Sequence, residues 1–103
     1  MTVYSTKLRQ VKNWGSALVI QFDNENEANR PLGLTGYGLG ESWVSKKALD
    51  LLTRAICDAA RVRNPHDLAG VEVDAVINPL GEVVTLVFPH THLFVAFGDY
   101  VKP

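Results

Sequence analysis

The sequence has little of several features that identify common protein classes. It contains one cysteine, Cys57, so no disulfide can form within the chain, which argues against a small disulfide-stabilised secreted domain. Its longest apolar runs, such as residues 17–20, are too short to span a bilayer, and residues 1–8 lack the apolar segment of a secretory signal. We therefore expect a cytoplasmic protein with no membrane partner.

An excess of charge of either sign is also missing. Ten Lys and Arg residues stand against eleven Asp and Glu residues, which gives a formal net charge of −1. This balance argues against a nucleic acid as direct partner, because proteins that bind nucleic acids carry a basic patch. The chain has 103 residues and is 47% hydrophobic, so we expect a single domain over residues 1–103 with its own core.

The pattern of apolar residues predicts six extended segments and one helix. The segments cover residues 2–12, 16–23, 32–39 (interrupted by glycines), 71–77, 82–88 and 92–97. Apolar residues at helical spacing predict a helix from Ser42 or Ser45 to about Arg63. Residues 78–81, Asn-Pro-Leu-Gly, are typical of a type I turn. The order β-β-β-α-β-β-β predicts an α+β fold, a mostly antiparallel sheet of five to six strands with one long helix packed on one face.

The helix face turned to solvent carries charges at a spacing that predicts ion pairs. Asp50 lies four residues before Arg54, and Arg54 four before Asp58. Lys46 and Lys47 lie in the first turn, where the helix dipole favours acids, so we expect these lysines to serve a partner.

One helix covers one sheet face, so we expect the other face to be left open or to be used for association. Val76, Val84, Leu86 and Phe88 indicate that this second face is partly apolar. It, or an edge strand, could join two copies of the chain into a homodimer.

Aromatic residues beside lysines suggest a protein-binding surface. Trp43 lies close to Lys46 and Lys47, and Tyr37 lies upstream, so these four residues are our candidate partner-binding site. Packing against the core is nevertheless the more common role for a tryptophan, and we expect it for Trp14 and Trp43.

A glycine-rich stretch before the helix suggests an alternative ligand site. Gly36, Gly38 and Gly40 could expose backbone N–H groups to a phosphate, with Tyr37 beside them. The stretch fits neither the Walker pattern nor the dinucleotide fingerprint. A small-ligand binder, such as a sponge for a nucleotide signal, is the alternative function.

Catalytic signatures are weak throughout the sequence. His66, His90 and His92 could in principle meet at a metal, but no cysteine or helical His-Glu pattern accompanies them. Glu72 and Asp74 alternate with apolar residues, as in any half-solvated strand. No nucleophile elbow or Cys-His pair is present. We expect no enzyme activity, no metal and no cofactor.

The layout around the helix resembles a group of small uncharacterised phage and prophage proteins. The resemblance lies in residues 35–39 (Thr-Gly-Tyr-Gly-Leu), the helix, residues 67–73 (Asp-Leu-Ala-Gly-Val-Glu-Val) and the hairpin glycine Gly81, over roughly residues 33–88. The chain lacks the tryptophan usual before Asp67, and its polar loop at residues 24–30 is its own. The resemblance implies a phage accessory protein and transfers no catalytic residue. It also implies an inhibitor of host defence, similar to anti-CRISPR proteins, that binds a host protein complex.

Overall fold

The computed structural model describes residues 2–14, 18–23, 37–39 and 46–100, with Asp23 and residues 37–39 described through their backbone alone. The strands are β1 (Thr2–Asn13), β2 (Leu18–Asp23), β3 (Tyr37–Leu39), β4 (Glu72–Ile77), β5 (Val83–Phe88) and β6 (Leu93–Ala96). The α-helix is α1 (Lys46–Ala60), and short 3-10 turns cover Pro65–Leu68 and Phe97–Asp99.

The six strands form one antiparallel sheet in the order β3-β2-β1-β4-β5-β6. The long strand β1 organises it, because its first half pairs with β4 and its second half with β2. Lys7 is the residue that pairs with both neighbours, opposite Glu72 on one side and Asp23 on the other. The predicted α+β class, the antiparallel pairing and the order of elements are therefore confirmed.

The helix packs on one face of the sheet, and the core lies between them. Its apolar stripe is buried together with alternate residues of the strands. The fully buried side chains of this core include Leu8, Leu18, Ile20, Leu49, Leu52, Ile56, Leu68, Val73, Val83, Leu86 and Phe88. None of the helices in the described residues has the length and apolar content of a membrane-spanning helix.

The helix ends at Ala60, three residues before the predicted end at Arg63. Arg61 takes a φ of 58°, a left-handed conformation that glycine usually supplies at this position. Its N–H bonds to the Asp58 carbonyl at 3.1 Å, and the Val62 N–H bonds to the Cys57 carbonyl at 3.0 Å. These two bonds form a Schellman motif, which ends the helix before Pro65 can do so.

The loop between β5 and β6 closes the same helix end. The Thr91 hydroxyl donates to the Ala59 carbonyl at 2.7 Å, and His90 Nε2 donates to the Ala60 carbonyl at 2.9 Å. Together with the Schellman bonds, these contacts satisfy all four carbonyls that a helix C-terminus leaves without partners within the helix. The loop therefore fixes the helix on the β5–β6 end of the sheet.

Two of the residues predicted on the sheet face opposite the helix lie instead on the face that the helix covers. Leu86 and Phe88 are fully buried under the helix, because Leu86 lies directly opposite the buried Ala75 in the ladder. A bulge at Val84 shifts the alternation, so Val83 also points into the core, which a strict two-residue period does not reveal.

The hydrogen bonds at residues 78–81 are those of the turn that the sequence predicts there. The Gly81 N–H bonds to the Asn78 carbonyl at 2.9 Å, and the Asn78 side chain accepts from the N–H groups of Leu80 and Glu82.

The predicted tail from Gly98 onward is wrong in its first residues, because Asp99 belongs to a 3-10 turn and Tyr100 packs against the core.

Candidate functional site

A groove of about 840 Å³ runs along the helix side of the molecule. One wall is the charged side of α1, and the end of β1 and the segment after the helix complete the described lining. The lining residues are Asn13, Trp14, Lys46, Asp50, Thr53, Arg54, Cys57, Asp58, Val62, Arg63 and Pro65. Ligand and partner sites are commonly concave surfaces of this size, so the groove is the candidate site.

Asn13 fixes the end of β1 against the helix and so shapes the groove. Its side-chain amide donates to Asp50 Oδ1 at 2.8 Å and to Thr53 Oγ1 at 3.1 Å. The Thr53 hydroxyl in turn donates to the Leu49 carbonyl at 2.7 Å. Because Asn13 is held at two points, the next residue, Trp14, is positioned at the mouth of the groove.

Asp50 receives hydrogen bonds from two sides. Lys46 Nζ donates to Asp50 Oδ2 at 3.0 Å, and Asn13 donates to the other oxygen. These bonds, that of Lys46 first, hold the pKa of the Asp50 carboxyl below its ordinary value. The pair also accounts for Lys46 in the first helical turn, where its charge alone is unfavourable.

Trp14 is exposed, contrary to the expectation that it packs in the core. Its side chain is 64% exposed, and Lys12 Nζ lies 4.8 Å from the centroid of its ring. This cation–π contact orients the ring without removing it from solvent. An exposed tryptophan beside a groove is available to a partner, which a core tryptophan is not.

The predicted ion pairs of Arg54 do not form. Asp50 is occupied by Lys46 and Asn13, and within the described part of the chain Arg54 makes no ion pair with Asp50 or Asp58. Arg63, on the segment after the helix, likewise has no carboxylate partner among the described residues. Within the described part of the chain the groove thus contains two guanidinium groups without a carboxylate partner, and a guanidinium group can bind carboxylate or carbonyl acceptors.

Cys57 lies at the floor of the groove and is 5% exposed. Burial, followed by the nearby charges of Asp58 and Asp67, raises the pKa of its thiol. A raised pKa lowers the thiolate fraction, so this thiol is a poor nucleophile. Its role is packing, since it belongs to the buried core between the helix and the sheet.

The residues of the sequence-predicted sites are described to different extents. Lys46 lines the groove, whereas Lys47, also exposed, points elsewhere on the helix. Tyr37 and Gly38 lie in the edge strand β3, opposite Ile20 and Val19 of β2. Trp43, Gly36 and Gly40 lie outside the described residues.

The histidines and acids singled out in the sequence lie in separate places. His90 bonds to the helix end, and His66 lies 3.5 Å from Asp67 on the surface. Over residues 2–14, 18–23, 37–39 and 46–100 no three His, Cys, Asp or Glu side chains are close enough to hold a metal ion. The Ser5 hydroxyl donates to Asp74 Oδ1 at 2.8 Å on the open sheet face.

Sequence spacing does not predict the groove. Asn13 and Asp50 are 37 residues apart, and no spacing rule connects a strand end to a helix flank at that distance. The available signal was the pair Lys12 and Trp14, two residues apart at the end of a predicted strand.

The sequence matches no protein-family model, no curated protein and no solved structure. The resemblance to small phage proteins therefore stays a hypothesis.

Proposed function

We propose that this protein is a non-enzymatic interaction protein that binds a partner protein through the helix-side groove. One observation carries the proposal: the groove combines a 64% exposed tryptophan, Trp14, with Arg54, which has no ion pair within the described residues. Tryptophan and arginine are the side chains most enriched at the energetic centres of protein interfaces. The poor nucleophilicity of Cys57 is in keeping with a binding role.

The specific form of this proposal is a phage or mobile-element protein that inhibits a host defence complex in the host cytoplasm. Its support is the resemblance drawn above and the near-zero net charge, which favours a protein partner over a nucleic acid. Occupying a surface of the complex would suffice for inhibition.

The experiment is capture of the partner from a host lysate by the immobilised protein, with three variants. Trp14→Ala and Arg54→Glu alter the groove, whereas Lys47→Glu changes an exposed charge on the same helix outside it. We expect the unchanged chain and Lys47→Glu to retain one partner in stoichiometric amount. Each groove variant should lose about tenfold or more in affinity, as at an interface hot spot.

Four outcomes count against the proposal, at different levels. If no stoichiometric protein is retained, the protein is not the interaction protein proposed. If the groove variants retain the partner as well as the unchanged chain does, the groove is not the binding site. If host defence acts normally in the presence of the protein, the inhibitor form is wrong. If a nucleotide at saturating concentration raises the melting temperature, the ligand-sponge alternative through Gly36, Gly38 and Gly40 is favoured instead.

A further inference from the structure

The groove carries an excess of positive charge although the chain as a whole does not. Three cationic side chains of its described lining, Lys46, Arg54 and Arg63, stand against two carboxylates, Asp50 and Asp58. The net charge of the chain is −1, so this excess is local to the groove. A local excess of one sign attracts groups of the other sign.

The charges of the groove are not equally available to another molecule. Lys46 and Asp50 neutralise each other through their 3.0 Å ion pair, and Asn13 donates to the other oxygen of Asp50. Neither arginine of the lining has a carboxylate partner among the residues that the structure describes. In the described lining, Asp58 is therefore the one carboxylate that remains against two guanidinium groups.

The mouth of the groove adds an apolar surface beside a further positive charge. The Trp14 side chain is 64% exposed, and Lys12 Nζ lies 4.8 Å from the centroid of its ring. A guanidinium group can bind a carboxylate through two parallel hydrogen bonds. The matching occupant therefore carries an apolar side chain for the ring and carboxylates for the arginines.

We infer that the groove binds an acidic segment of a partner protein, with Asp or Glu side chains on Arg54 and Arg63 and an apolar side chain on Trp14. This inference rests on the proposed function and names the chemistry of its partner. The lining runs from Lys46, the first residue of the helix, to Pro65 beyond its end. The helix has 15 residues and is about 22 Å long, so an extended segment of about seven residues covers it.

The carboxylates of the groove favour an acidic peptide over a nucleic acid. A nucleic acid carries a phosphate at every nucleotide, so some phosphates would lie against Asp50 and Asp58. The net charge of −1 adds no general attraction that would offset this repulsion. A peptide can place its carboxylates on the two arginines and neutral side chains elsewhere, which is the complementarity that specific interfaces show.

Fluorescence anisotropy of labelled peptides with the full chain tests the inference. Three synthetic peptides of equal length contain the same leucine and carry Glu, Gln or Lys at the same positions. We expect the Glu peptide to bind about tenfold or more tightly than the Gln peptide, and the Lys peptide to bind most weakly. Raising the salt from about 0.1 M to about 1 M should weaken the Glu peptide several-fold, because the screening length falls from about 10 Å to about 3 Å.

Four variants locate the binding of the peptides. Arg54→Gln and Arg63→Gln should each weaken the Glu peptide about fivefold or more and leave the Gln peptide nearly unchanged. Lys47→Gln is the matched control, because it removes one exposed positive charge from the same helix outside the described lining. Trp14→Ala should weaken the Glu and Gln peptides alike. All four side chains are exposed, and circular dichroism verifies that the variants fold.

Several results overturn the inference. They are equal binding of the Glu and Gln peptides, tighter binding of the Lys peptide, and no binding of any peptide up to about 1 mM. An equal loss on Lys47→Gln also overturns it, as does a single-stranded oligonucleotide of the same charge that binds as tightly as the Glu peptide. A mass that rises from 11.3 kDa with concentration, and that Arg54→Gln returns to 11.3 kDa, identifies a second copy as the occupant instead.

Failure of this inference is distinguishable from failure of the proposed function. The proposed function stands if the lysate yields a partner that Trp14→Ala loses, even when the peptides show no preference for acid. In that case the groove binds a partner protein through chemistry other than carboxylates. The acidic preference stands alone if the Glu peptide behaves as expected and the lysate yields no stoichiometric partner.

Discussion

At the scale of single residues, Arg61, like His92, adopts a left-handed backbone conformation that is unfavourable for a residue with a side chain. Its φ of 58° costs an L-residue about 1 kcal/mol relative to glycine. Arg61→Gly should therefore raise the free energy of unfolding by up to about 1 kcal/mol, measured by urea denaturation. Arg61→Ala is the control, because it removes the same side chain but keeps the strain. Equal stability of the two variants would show that the left-handed conformation at residue 61 is not the source.

Asp50 makes stability depend on pH in a definite direction. Its pKa is lower in the folded chain than in the unfolded chain, so its bonds to Lys46 and Asn13 stabilise the fold above the unfolded pKa. This contribution is lost as the pH falls below about 4. We expect Asp50→Asn to be less stable than the unchanged chain at neutral pH. The difference in urea midpoint should shrink between about pH 5 and pH 3. Parallel pH profiles would contradict this account.

At the scale of elements, the C-terminus of α1 depends on a loop that is distant in sequence. Thr91→Val keeps the shape of the side chain but leaves the Ala59 carbonyl without its hydroxyl donor. We expect a loss of about 1 to 2 kcal/mol and faster amide hydrogen exchange in the last helical turn. Thr2→Val, at the exposed first residue of β1, is the matched control and should be close to neutral. Equal effects of the two variants would remove the hydrogen bond to Ala59 as the cause.

Local patterns predict the elements of this chain better than they predict its contacts. The turn at Asn78, the helical stripe and the order of helix and strands along the chain follow from neighbouring residues, and the structure agrees with them. The helix end does not follow, because Arg61 adopts a glycine conformation that no local rule assigns to arginine. The faces of β5 do not follow either, because the bulge at Val84 is set by pairing with β4.

The groove depends on contacts between residues of different elements, and the spacing of residues along the chain does not predict such contacts. A spacing of four residues predicts pairs of Arg54 with Asp50 and Asp58, but Asn13, from another element, competes for Asp50. The result is an arginine in the groove that has no ion pair with any residue that the structure describes. Trp14 is exposed for a related reason, since the preceding Asn13 is held on the helix flank.

At the scale of the whole molecule, Cys57 reports on opening of the fold. The thiol is 5% exposed, so a reagent has little access to the sulfur in the folded state. Burial also raises the pKa of the thiol, so little of it is present as the reactive thiolate. We expect a disulfide reagent to react about a hundredfold or more slowly with the folded chain than with the chain in urea. Comparable rates would contradict the packing between α1 and the sheet.

The central claim is that a partner covers Trp14 in the groove. Trp43→Phe leaves Trp14 as the sole tryptophan, so the fluorescence of this variant reports on the groove without altering any described lining residue. Acrylamide quenching of that fluorescence measures access of solvent to the ring. We predict strong quenching in the free protein and a several-fold lower quenching constant when the captured partner is bound. An unchanged quenching constant at saturating partner would show that the partner binds elsewhere, and the account would be wrong.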